Sequence, residues 1–256
     1  MRNVPLVLAL AALTAAPAQA HFGMIIPESP ILDQVDGREI VLSIGFGHPF
    51  DPSGLMLERP SAFGVTSPDG EVDLLPELED AEFHGAAGFR LRHEVARPGV
   101  QVFHMEPEPY WEPAEDVFIV HYTKLYVPAF GDDEGWDAEL GLPIEIVPLA
   151  RPFGLWAGNV FQGIVKLGGE PLPGAEIEVE HYNAAGSATS PSTLMTTQTI
   201  LADEAGVFTY AAPAPGWWGF SALETSDEQK EHEGEAKDIE IGGVLWVHFE
   251  PWMAGE

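Results

Sequence analysis

The sequence predicts an all-β protein of two antiparallel β-sandwich domains. Three observations predict it. Short runs rich in β-branched and aromatic residues recur along the chain, separated by turn-forming residues. The 256 residues include 27 Gly and 23 Pro, a balance that suits strands and turns. After the first twenty residues no segment carries a convincing helical period.

In order, the predicted strands of the first domain are Glu39–Phe46, Ser61–Thr66, Gly88–Ala96, Val100–Met105, Val117–Val127 and Leu142–Leu149. Asp36-Gly37, Ser67-Pro68-Asp69-Gly70 and Arg97-Pro98-Gly99 supply turns between them. Arg151–Gly158 reads as a connector. The second set comprises Asn159–Leu167, Ala175–Tyr182, Gln198–Leu201, Val207–Ala211, Gly216–Leu223 and Ile239–Phe249, with turns at Gly168–Gly174 and Asp203–Gly206. Ala184–Thr197 and the charged Thr225–Lys237 are expected to be loops. The expected division is 1–20 as a leader, 21–152 as the first sandwich and 153–256 as the second, each sandwich long enough for its own core.

The leader has its own signature. Met1-Arg2-Asn3 is a short positive start, Val4 to Ala16 an apolar run, and Ala18-Gln19-Ala20 an A-x-A cleavage site. The apolar run falls short of the roughly 20 residues that a spanning helix needs. The expectation is a periplasmic protein, secreted through a cleaved signal peptide and not inserted in the membrane. Cleavage after Ala20 leaves His21 as the first residue, with an α-amine and an imidazole able to chelate one metal ion. Their unperturbed pKa values are about 7.7–8.0 and 6.5, so both shed protons for a metal near neutral pH.

Composition narrows the partners. Against 41 Asp and Glu stand 11 Lys and Arg, a formal charge of −30. Nucleic acid is excluded, because binding there needs cations that displace counterions from phosphate. Such a surface attracts cations. The chain has no cysteine, which removes disulfides, thiolate catalysis and thiolate-ligated metals.

Nine histidines remain as the main chemical signal, without a catalytic triad signature, a phosphate-binding loop or H-E-x-x-H. His48 ends the first strand in Gly47-His48-Pro49. His121 shares a strand face with Val117 and Ile119, and the opposite face is also apolar, which predicts burial. Taken singly, each reads as a core histidine with its nitrogens satisfied. A metal backed by a carboxylate or carbonyl would satisfy them equally. His104 alternates with Val100 and Val102 and joins the candidates on the same ground. His84 and His93 read as surface residues, His181 and His248 as packing or surface, and His232 as part of a solvated acidic loop. The carboxylates are too many to single out a pair. The Trp and Tyr residues read as core packing or as a glycan-stacking platform.

The mature start His21-Phe22-Gly23-Met24-Ile25-Ile26-Pro27 resembles the opening of a domain-of-unknown-function family of exported β proteins. Gly47-His48-Pro49, Glu108-Pro109-Tyr110-Trp111, His121-Tyr122-Thr123-Lys124, Gly135-Trp136-Asp137, Glu145–Leu149 and Pro215–Phe220 resemble further blocks of it. The branch it most resembles includes the periplasmic nickel-binding component of energy-coupling-factor-type nickel/cobalt uptake transporters. The resemblance implies capture of Ni²⁺ (Co²⁺, Cu²⁺ or Zn²⁺ as other occupants), delivery to membrane-embedded transporter subunits, and no catalysis. It places the metal on His21, His48 and His121; His104 comes from the strand-face argument alone. The second half is similar to transthyretin-like and carboxypeptidase-regulatory-like sandwiches, after an Ig-like first half. Two other classes stay open: a copper protein or oxidative enzyme with an N-terminal histidine brace, and a non-catalytic envelope or glycan-binding module.

Overall fold

A computed structural model describes residues 20–253; all of the predicted leader, 1–20, but its last residue lies outside the described residues. The chain is all-β, as the sequence predicts, and its strands pair almost entirely antiparallel. In chain order the strands are β1 (Phe22–Pro27), β2 (Glu39–His48), β3 (Ser53–Leu55), β4 (Ala62–Ser67), β5 (Gly70–Asp73), β6 (Glu79–Phe83), β7 (Ala86–Glu94), β8 (Gly99–Glu106), β9 (Tyr110–Glu112) and β10 (Val117–Ala129). There follow β11 (Ile144–Pro148), β12 (Leu155–Trp156), β13 (Val160–Leu167), β14 (Glu170–Pro171), β15 (Glu176–His181), β16 (Thr197–Leu201), β17 (Val207–Ala211), β18 (Gly216–His232) and β19 (Glu235–Glu250).

Three sheets form. A first sheet runs β1-β2-β7-β6, with β3 on β2. A second, large sheet runs β16-β15-β18-β19-β10-β8-β4-β5. A third holds β11, β13, β14 and β17. One core lies between the first sheet and the large one, around Phe22, Ile25, Leu42, Ile44, Phe103 and Trp246. The other lies between the large sheet and the third, around Phe161, Ile177, Phe208, Phe220, Leu245 and Phe249. Apolar side chains alternate between the two cores along β10: Ile119, Leu125 and Val127 enter the first, Val120 and Tyr126 the second.

The boundary placed after residue 152 falls in the connector between β11 and β12, yet strands from both sides share the large sheet. The seam is β10 against β19, and it is parallel, with His121 opposite Gly242. Parallel neighbours need a long crossover, and everything from β11 to β18 supplies it.

One expectation is corrected. Thr225–Lys237 is not a loop. It is the outer end of a hairpin in which β18 and β19 stay paired, Gln229 opposite Asp238 and His232 opposite Glu235, beyond a bulge after Thr225. Glu233 and Gly234 close it with φ of 51° and 86°, the two positive φ values of a tight hairpin turn. Charge hid the strand, because neither face of this arm enters a core. Conversely, Phe22–Pro27 is strand β1, buried along its whole length, so it lacks the period-2 alternation that marks a half-buried strand.

Candidate metal centre

The strands converge on one end of the first core. β1 and β2 pair antiparallel with Phe22 opposite Gly47, so the next step outward sets His21 against His48. Their ring centroids are 4.7 Å apart. β1 is pinned from below: the Trp246 indole N–H donates to the Gly23 carbonyl at 2.8 Å. Gly219 leaves the space that the Phe22 ring fills, since a Cβ there would stand 2.9 Å from it. Gly23 permits the close approach to β10, where a Cβ would stand 2.1 Å from Thr123 Oγ1.

His121 comes from the middle of β10. Its ring lies over Gly242, where a Cβ would be 2.5 Å from Cδ2 and 2.8 Å from Nε2. Phe46 joins the cluster, stacked on His21 at 5.8 Å and edge-on to His121 at 5.8 Å. His121 is 2 % exposed, and neither of its ring nitrogens has a hydrogen-bond partner. A buried imidazole with both nitrogens unsatisfied is costly, by about 1–3 kcal/mol for each unmade bond.

Two carboxylates border the imidazoles. Glu112 Oε2 is 3.1 Å from His21 Nε2, with both side chains buried. Glu240 Oε1 is 3.7 Å from His121 Nε2, beyond direct hydrogen bonding. Burial pushes His21 down to about 4, helped by the neighbouring His48 and His121, so its ring is neutral at ordinary pH. Burial alone would raise Glu240, but the nearby His121 and His21 outweigh it and hold its carboxyl below the usual range. Sequence reasoning missed both acids. Among 41 Asp and Glu, only the adjacency of Glu112 to the Tyr110-Trp111 block could have singled one out.

His48 Nδ1 lies 3.0 Å from the carbonyl oxygen of Ala20, itself a buried residue. The imidazole therefore sits against the peptide bond that the predicted cleavage would break. Among the described residues, no three His, Asp or Glu groups close into a ready-made metal cage.

His104 does not join this cluster. Phe103 and Met105 enter the first core and Val100 and Val102 the second, so alternation points His104 to the second face, away from His121. It packs over Gly64, with Nε2 3.9 Å from Glu71 Oε1. The strand-face argument found a buried histidine correctly but could not say which face the others use. His84 bonds the Tyr182 hydroxyl, His181 the Pro215 carbonyl, and His248 packs on Trp217. His232 is stacked on Trp111 at 3.9 Å rather than solvated in a loop.

Beside His121 opens a cavity of about 340 Å³. Phe46, Met105, Tyr110, Trp111 and Phe118 line its walls, and Lys230 of the long hairpin stands at its edge.

A family model described as a domain of unknown function, DUF4198, matches residues 18–226, and the chain belongs to that family. No curated protein matches the chain. Among solved structures, the D0-D1 domain of intimin is similar at 11 % identity and a TM-score of 0.27, covering 90 % of this chain and 100 % of that one. Trypsin-activated α2-macroglobulin from Escherichia coli gives 11 % and 0.25, covering 91 % of this chain and 16 % of that one. A two-domain fibronectin type III segment of chicken tenascin gives 11 % and 0.22, covering 88 % and 99 %.

Proposed function

Starting from membership of the DUF4198 family, we propose that this protein is a periplasmic metal-binding protein that captures Ni²⁺ and passes it to a membrane uptake transporter. The observation that carries the reading is the buried His121, whose two ring nitrogens lack partners beside His21 and His48. Three imidazoles brought together in a dry site repel one another when charged. As free bases they would offer a cation their nitrogen lone pairs.

The donor set suits the ion. Imidazole and amine nitrogens favour borderline divalent metals, and with no thiolate the site is redox-quiet. Glu112 stands 3.1 Å from His21 Nε2, where an outer carboxylate could steady a ligating ring. Signal cleavage hydrolyses the Ala20–His21 bond: water adds, Ala20 leaves as a carboxylate and His21 gains a free α-amine. His48 Nδ1 loses its carbonyl partner in the same step, so a new donor appears beside a newly released one. The net charge of −30 draws cations toward the surface. No residue is assigned a catalytic role.

Titration of the His21-first protein with Ni²⁺ tests the reading. One tight site, lost in His121→Ala with the fold intact, supports it. Nickel-limited growth of cells carrying His121→Ala tests delivery, and undiminished nickel uptake would refute that step. A copper reading has one observation behind it, the same His21 and His48 pairing. By the Irving–Williams order Cu²⁺ binds such nitrogens more tightly, so a site that takes Cu²⁺ and rejects Ni²⁺ would replace nickel in this account.

A further inference from the structure

The cavity beside His121 is larger than a metal ion needs. At about 340 Å³ it falls in the size range of small-molecule sites, and it runs up against the imidazole cluster. Its walls are aromatic and thioether surface. Tyr110 packs on Phe46 at 5.1 Å, and Trp111 lies edge-on to Phe118 at 5.0 Å. The polar groups on its lining carry both signs: Glu58 and Glu108 from two separate connecting segments, and Lys230 from the hairpin. Lys230 Nζ stands 5.5 Å from the centre of the Phe118 ring, another residue of the lining.

We propose that this cavity binds a zwitterionic α-amino acid with a flat ring side chain, which enters as a chelate of the metal and supplies donors the protein lacks. The proposal rests on the metal-binding reading above. The charges select the class. A polycarboxylate chelator would meet two glutamates on a strongly negative protein, and a polyamine would meet Lys230. A zwitterion sets its carboxylate toward Lys230 and its amine toward the metal or the glutamates, while its ring lies against Tyr110 and Trp111. Its amine nitrogen adds a donor beside those of the imidazoles and the His21 α-amine.

The arm that carries Lys230 is positioned for this. His232, two residues along, stacks on Trp111, and Lys237 pairs with Asp116. The hairpin that sequence reasoning took for a loop thus forms one wall of the cavity mouth.

Equilibrium dialysis of the His21-first protein with labelled L-histidine, with and without Ni²⁺, tests the proposal. Glycine serves as a chelator without a ring and citrate as an anionic one. The expected result is stoichiometric retention of L-histidine that depends on Ni²⁺, with weak retention of glycine and none of citrate. Trp111→Ala and Lys230→Glu should each lower histidine retention by about tenfold while leaving titration with Ni²⁺ alone unchanged. If Ni²⁺ binds alone and L-histidine strips it from the protein without being retained, the co-ligand proposal is overturned and the metal site stands. If Ni²⁺ fails to bind with or without L-histidine, the metal-binding reading fails, and this proposal with it.

Discussion

Glu112 Oε2 lies 3.1 Å from His21 Nε2, a buried charge contact on the ring nitrogen farther from the backbone. That leaves Nδ1 outside the contact. Nδ1 is also the ring nitrogen nearer the backbone, able to chelate together with an α-amine. Glu112→Gln removes the charge and keeps the shape. Metal affinity should fall by about tenfold or more, the usual cost of an altered outer-shell partner, with little change in melting temperature. Calorimetric titration checks it. An unchanged affinity would remove Glu112 from the site.

Gly242 makes room for His121. A methyl group there would stand 2.5 Å from the ring, so Gly242→Ala must displace it. Overpacking of this kind costs about 1–3 kcal/mol. Metal binding should weaken more than stability suggests, because the displaced group is one of the proposed ligands. Comparing denaturant midpoint with nickel affinity separates the two effects.

Lys124 and Glu145 form a fully buried ion pair on the opposite side of β10 from His121. Glu145 also accepts the backbone N–H groups of Leu140, Gly141 and Leu142, and Lys124 donates to the Tyr126 hydroxyl. Lys124→Met leaves the carboxylate without its cation and should cost about 3–5 kcal/mol, and replacing Glu145 by an apolar residue as well should restore little of it, because three backbone N–H groups then lose their acceptor. Chemical denaturation of the single and double variants measures this. Metal affinity of the folded fraction should not change, which separates scaffold from site.

Glu178 gives a pH prediction. Burial, with Glu240, Glu180, Glu176 and Glu115 nearby, pushes it up to about 7. Between its ordinary value and about 7, folding takes up a proton there. Stability from this group therefore falls as pH rises through that window, and the penalty is complete above it. Glu178→Gln should raise the melting temperature more at pH 8 than at pH 5. An equal gain at both would contradict the assignment.

Much of the fold was legible because core strands carry alternation. Glu39–Phe46 and Val117–Val127 lie within β2 and β10. Strands without a half-buried pattern were not legible: β1 is buried throughout, and the hairpin arm after Thr225 is almost wholly exposed. The parallel seam of β10 and β19 joins residues more than a hundred apart, which no local pattern encodes. At the site, His21, His48 and His121 were named from the mature terminus, the strand patterns and the family resemblance; in the structure His21 lies against His48, and Phe46 touches both His21 and His121. His104 was named from its strand alone and points to the other core. Glu112 and Glu240 were lost in a background of acids.

The central claim is that cleavage after Ala20 completes a nitrogen-rich nickel site at His21. The most direct test is calorimetric titration with Ni²⁺ of protein beginning at His21, beside the same protein carrying one extra Met before it. The account predicts one tight site in the first and a loss of at least about tenfold in the second, because the α-amine has moved away. Equal affinity in both, or no nickel site in either, would contradict it.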